Sequence, residues 1–176
     1  MQLSTTCQGQ YQKTSPITVA VVEHNPKKRK CLEQFLRQND QTIVVLTDQN
    51  SFHCKKTERR LKSRNNLSLQ ENTIARIKRL KPRILFVNTH QLTKESIDLL
   101  HELKQNCFGT LPIVLTKEQA EDYQILHALK NGAHGIVNCS TSSFNISKII
   151  HTVDSGEPWV SRKMLEKIMG KIKFTQ

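Results

Sequence analysis

Between Pro82 and Asn88 four large apolar residues follow one another without interruption, Ile84-Leu85-Phe86-Val87. A strand with no polar alternation has no face to show to water, so it belongs in the middle of a parallel sheet covered on both sides. In open sheets of that kind, the side chain at the carboxyl end of a central strand projects into the crevice where ligands and chemistry are found. Here that side chain is Asn88. A carboxamide hydrogen-bonds but carries no charge near neutral pH, so it neither accepts a phosphoryl group nor holds a divalent cation as a carboxylate does.

Four other runs have strand character: residues 17–22, 42–46, 111–116 and 135–137. Amphipathic segments separate them. Asn25 is placed to cap a helix with Pro26 at its first position, and Cys31, Leu32, Phe35 and Leu36 recur at the spacing of one buried face. Ser68-Leu69-Gln70-Glu71 has capping-box spacing ahead of Ile74, Ile77 and Leu80. Thr93 precedes Ile97, Leu100 and Leu103. Tyr123, Leu126 and Leu129 are closed by Asn131-Gly132, a pair suited to a helix C-terminus. Ser142 or Ser143 stands ahead of Ile146, Ile149, Ile150 and Val153, and a last amphipathic segment starts at Ser161. Five strands alternating with helices predict an α/β fold, a doubly wound parallel sheet with helices on both faces. Residues 1–15 read as a mobile tail, 16–156 as one domain with a basic insertion at 51–66, and 157–176 as a linker and helix.

With 27 basic and 15 acidic residues the formal charge is +12, which favours polyanionic partners. No stretch is apolar for long enough to span a bilayer and no secretory leader is evident, so the expected compartment is the cytoplasm, with no membrane partner. The five cysteines, Cys7, Cys31, Cys54, Cys107 and Cys139, form no CxxC pair, which speaks against a disulfide framework or a zinc ribbon. The insertion gathers Lys55, Lys56, Arg59, Arg60, Lys62 and Arg64 against Glu58 alone. These six are candidate nucleic-acid contacts acting on phosphates, without aromatic residues among them for stacking. Lys27-Lys28-Arg29-Lys30 reads as a solvated surface.

Residues 17–169 resemble the receiver domains of bacterial two-component response regulators. Glu23-His24-Asn25-Pro26 stands where that family has an acidic pair, often followed by His-Pro. The strand ending at Asn88 stands where the family's phosphorylated aspartate lies. Residues 111–116 are similar to the strand carrying the switch hydroxyl, and Gly132-Ala133-His134-Gly135 is similar to the Gly-Ala-x-Gly before the fifth strand. Gly156-Glu157-Pro158-Trp159-Val160-Ser161-Arg162 resembles the linker that, in the LuxR-type (NarL/FixJ-like) subfamily, precedes a helix-turn-helix output domain. This chain ends at Gln176, about where such a domain would begin.

The resemblance implies the flavodoxin-like strand order 2-1-3-4-5. It also implies a degenerate phosphorylation pocket: Glu23 and His24 for the acidic pair, Asn88 for the phosphoacceptor, and Cys139 for the catalytic lysine, with Thr116 kept. Ile136 replaces the aromatic residue that moves with the hydroxyl in many receivers. The expectation is therefore a pseudo-receiver and not an enzyme, with no catalytic residue, cofactor, metal or small-molecule substrate. It would act in signalling or transcriptional regulation through a protein partner or as a homodimer, using a face formed by residues 143–154 and 123–129. Two alternatives stand beside it. One is a nucleic-acid-binding regulator using the insertion; the other is a metal or redox protein built on Glu23, His24, His90 and Cys139.

Overall fold

The computed structural model describes residues 15–47, 69–140, 145–162 and 164–166. In chain order the elements are β1 (Ile17–Val22), α1 (Pro26–Asn39), β2 (Ile43–Val45), α2 (Leu69–Leu80), β3 (Ile84–Asn88), α3 (Lys94–Asn106), β4 (Leu111–Thr116), α4 (Asp122–Lys130), β5 (Gly135–Asn138) and α5 (Ile146–Asp154). The strands form one sheet in the order β2-β1-β3-β4-β5, and every pair runs parallel. This is the doubly wound arrangement expected from the alternation of runs. Most of the tail and the whole 51–66 insertion, with Lys55, Lys56, Arg59, Arg60, Lys62 and Arg64, lie outside the described residues.

β3 occupies the centre, with Val19 opposite Ile84 on one side and Phe86 opposite Ile113 on the other. Its four apolar residues are all but inaccessible to water. Because side chains alternate across a strand, Val19, Val21, Ile84 and Phe86 meet Leu36 of α1 and Ile146, Ile149, Ile150 and Val153 of α5. Ala20, Val22, Leu85 and Val87 meet Ile74 and Ile77 of α2 and Leu99 and Leu103 of α3 on the opposite face. Each Val, Leu, Ile or Phe side chain taken from water contributes about 1.5–3 kcal/mol, which is why an uninterrupted apolar run suits a strand covered on both faces.

Local signals set several helix starts. The Asn25 side chain accepts hydrogen bonds from the Lys27 and Lys28 amides at 3.0 and 3.3 Å, with Pro26 at the first helical position. Thr93 caps α3 through the Ser96 amide. Gly132, at φ +104°, closes α4.

Three expectations are corrected. In α1 the buried face is Leu36 with Leu32 half-buried, while Cys31 and Phe35 are exposed and Glu33 is covered instead. In α4 Ala128 is buried and Tyr123 is 66% exposed, because the first turn of the short helix points Tyr123 away from the sheet. α5 is capped by Asn145, whose side chain accepts from the Lys148 amide at 3.0 Å, rather than by a serine further back. Its isoleucines and Val153 are core, so they are not available to a dimer face.

Beyond α5, Gly156 adopts φ +93° and the chain returns along β5. The Trp159 amide donates to the His134 carbonyl at 2.8 Å, and the Ile136 amide donates to the Trp159 carbonyl at 3.0 Å. Trp159 thus adds one parallel rung to the outer edge of the sheet. Met164, in the turn of helix that follows, is buried, and its amide bonds the Ser161 hydroxyl at 3.3 Å.

Candidate functional site

Parallel strands bring their carboxyl ends to one edge, and four of the five residues singled out there arrive on different strands: Glu23 just after β1, Asn88 at the end of β3, Thr116 at the end of β4 and Cys139 just after β5. His24 follows Glu23 and is exposed. The decisive contact joins the first two strands. The Asn88 amide nitrogen donates a short hydrogen bond to Glu23 Oε2. The other carboxylate oxygen, Oε1, accepts from the Asn25 amide at 2.8 Å. Both oxygens of Glu23 are therefore taken, one by a side chain and one by the turn that starts α1.

Such an arrangement does not fit the magnesium ion that receivers use. That ion takes octahedral oxygen ligands, usually including one or two carboxylates. Of the five residues only Glu23 carries a carboxylate, and each of its oxygens already accepts a hydrogen bond from within the chain. Among the described residues no three His, Cys, Asp or Glu side chains are grouped to hold a metal.

Thr116 is 1% exposed, and its hydroxyl faces the Val137 carbonyl of β5 at 3.4 Å. Cys139 lies beside it, its amide donating to the Thr116 carbonyl at 2.7 Å, with its side chain packed on the core. Burial pushes the Cys139 thiol up, against the opposing pull of Lys117, so it stays protonated. That is the unreactive form for nucleophilic or redox chemistry.

A cavity of about 620 Å³ opens from Glu23 and Asn88 toward the amino ends of α2 and α3, while Thr116 and Cys139 stand outside it. Val22, Val87 and Leu99 give it an apolar floor, and His24, Lys28, His90 and Lys117 bring basic groups to it. His90 is held by Glu118, Nδ1 to Oε1 at 3.3 Å, and Gln91 bonds the other oxygen of the same carboxylate. So His90 faces Glu118 rather than joining Glu23 and Cys139.

Sequence reasoning missed Lys117 and Glu118, although both directly follow the retained Thr116. It also missed a network on the opposite layer. Asp40 accepts hydrogen bonds from the Thr42 amide at 2.8 Å, from the Thr42 and Ser147 hydroxyls, and from His151 Nε2 at 3.0 Å. Burial alone would raise the Asp40 pKa, but these donors outweigh it and hold the group well below the ordinary carboxylate range. Its partners on α5 lie over a hundred residues away in sequence, so no local pattern announces them.

No family model matches the chain, and no curated protein matches it. Solved structures do. A LuxR-family two-component response regulator from Aurantimonas sp. SI85-9A1 superposes with a TM-score of 0.64 at 15% identity, over 89% of this chain and 98% of that one. The isolated REC domain of RcsB from Salmonella enterica serovar Typhimurium gives 0.62 at 14%, over 88% and 98%. The receiver domain of the NarL response regulator from Mycobacterium tuberculosis gives 0.57 at 13%, over 82% and 100%. At these identities the likeness establishes the receiver fold.

Proposed function

We propose that this chain is a receiver-type module of LuxR-type ancestry that has lost phosphotransfer and works in cytoplasmic signalling or transcriptional control by protein contact. The observation that carries the reading is the Asn88–Glu23 hydrogen bond, which joins the position of the missing phosphoacceptor to the one carboxylate left at the pocket. An amide cannot form an acyl phosphate. A carboxylate satisfied by that amide and by the Asn25 amide is a poor cation ligand. The half-buried, protonated Cys139 has no charge to pair with a phosphoryl group.

Protein contact requires only surface. With the apolar side of α5 buried, α4 offers the exposed Tyr123 and the half-buried Ile125, Leu126 and Leu129. Incubation with acetyl phosphate and magnesium, followed by intact-mass spectrometry, tests the loss of phosphotransfer. The unmodified mass is expected. An acid-labile adduct of one phosphoryl group would overturn the reading.

A further inference from the structure

The amino end of the sheet, opposite the old pocket, carries a second groove of about 520 Å³. Its cations are Lys78 on α2 and Lys81 and Arg83 on the connection into β3; none of its lining residues is acidic. Its far wall is the turn between α3 and β4, where the Thr110 amide donates to the Cys107 carbonyl at 3.2 Å and Gly109 adopts φ +85°. A positive φ at the third position of a turn is the type II pattern, and it sets the second residue at the outer corner. That residue is Phe108, whose side chain is left 89% exposed beside the cations.

The placement of Lys81 is equally unusual. It adopts φ +46°, the left-handed conformation normally left to glycine at a helix end, and its amide donates to the Ile77 carbonyl at 2.8 Å. Strain kept by a charged residue is a mark of functional positions. Lys78 is steadied by the Asn106 side-chain oxygen at 2.9 Å, and Arg83 by Asp154 at 2.8 Å, with the arginine side chain still 49% exposed. The neutral polar groups are engaged within the protein: Thr18 accepts from the Arg83 amide, Thr110 donates to the Pro82 carbonyl, and Asn106 donates to the Glu102 carbonyl.

We propose that this groove binds single-stranded nucleic acid, with Lys78, Lys81 and Arg83 on the phosphates and one unpaired base stacked on Phe108. Cations along a groove with an exposed aromatic platform are the two parts such binding needs. Each neutral side chain named already makes a bond within the protein, so most of the binding falls to phosphate contact and stacking, and discrimination between bases or sugars is expected to be small. None of its lining residues belongs to the 51–66 insertion, and the proposal does not depend on the protein-contact reading.

The test uses the full chain at low salt with fluorescein-labelled oligothymidylate, oligouridylate and a duplex of the same length, read by anisotropy. Phe108→Ala, exposed and so neutral for folding, is expected to weaken both single strands about tenfold while leaving the duplex unchanged. Lys81→Asn keeps a residue at ease in the left-handed region and is expected to lower the salt slope for a single strand by about 0.7. Melting curves confirm that both variants fold. Absence of binding, single-strand affinity unchanged in both variants, or equal loss on the duplex overturns the proposal. So does competition by polyglutamate as effective as by the oligonucleotide.

Discussion

Replacing the Asn88 carboxamide with a carboxylate would set two like charges at the short contact now shared with Glu23. Asn88→Asp is therefore expected to lower stability at neutral pH by about 1.5–3 kcal/mol, equivalent to one or two units of raised carboxyl pKa. Magnesium should recover part of the loss, since a divalent cation between the two carboxylates replaces the lost donor. Urea titrations with and without the cation check this, and a variant as stable as the original without magnesium would show that the amide is not what closes the pocket. At this scale the sequence was legible wherever a residue acts through its own strand or turn. Glu23, Asn88, Thr116 and Cys139 reach one edge because parallel strands deliver their carboxyl ends there. Which of them touch was not legible. The Asn88–Glu23 bond spans 65 residues, and a donor and acceptor so far apart leave no spacing to recognise.

Elements were legible in proportion to how many residues vote for them. α2, α3 and α5 bury the apolar positions that their periodicity marks, whereas in α4 Tyr123, Ile125, Leu126, Ala128 and Leu129 are spread round the helix and mark no single face. α1 carries a polar, basic sequence on which Phe35 and Cys31 looked like core but face solvent. The return strand at Trp159 had no signal, since one residue pairing with an edge has no period. Its packing makes a sharp demand on β5. A Cβ added at Gly135 would stand 3.0 Å from the Trp159 Cβ, tighter than most such contacts, so the Trp159 segment would have to give by a few tenths of an ångström. Gly135→Ala is expected to cost about 1–3 kcal/mol by overpacking and to loosen the return strand. Trp159 is the one tryptophan of the chain, so its emission reports directly. A red shift before global unfolding is the expected outcome, and unchanged emission would mean that the strand end absorbs the methyl.

For the molecule as a whole, acid acts on groups that include His134 and Asp40. His134 is half-buried, its Nδ1 donating to the Gly132 carbonyl at 3.1 Å, and desolvation holds its pKa below the ordinary value. A histidine depressed in the folded state takes up protons preferentially when unfolded, so stability falls as pH drops below about 6.5. Asp40 is depressed as well, so its contribution is full above about 3.9 and drains away as pH falls through the folded value. Denaturant midpoints measured across acid pH should decline in two stages, and Asp40→Asn should abolish the second at a cost of about 1.5–3 kcal/mol near neutrality.

The two margins of the sheet are finished differently, and this bears on how copies of the chain behave when crowded together. One margin is met by the chain's own Trp159 segment; the other is β2, three residues long, with Val44 43% exposed. A ribbon of molecules stitched margin to margin would have to start from those three residues and then meet a tryptophan already in place. Among the described residues, then, both margins are poor templates for pairing with the sheet of another copy.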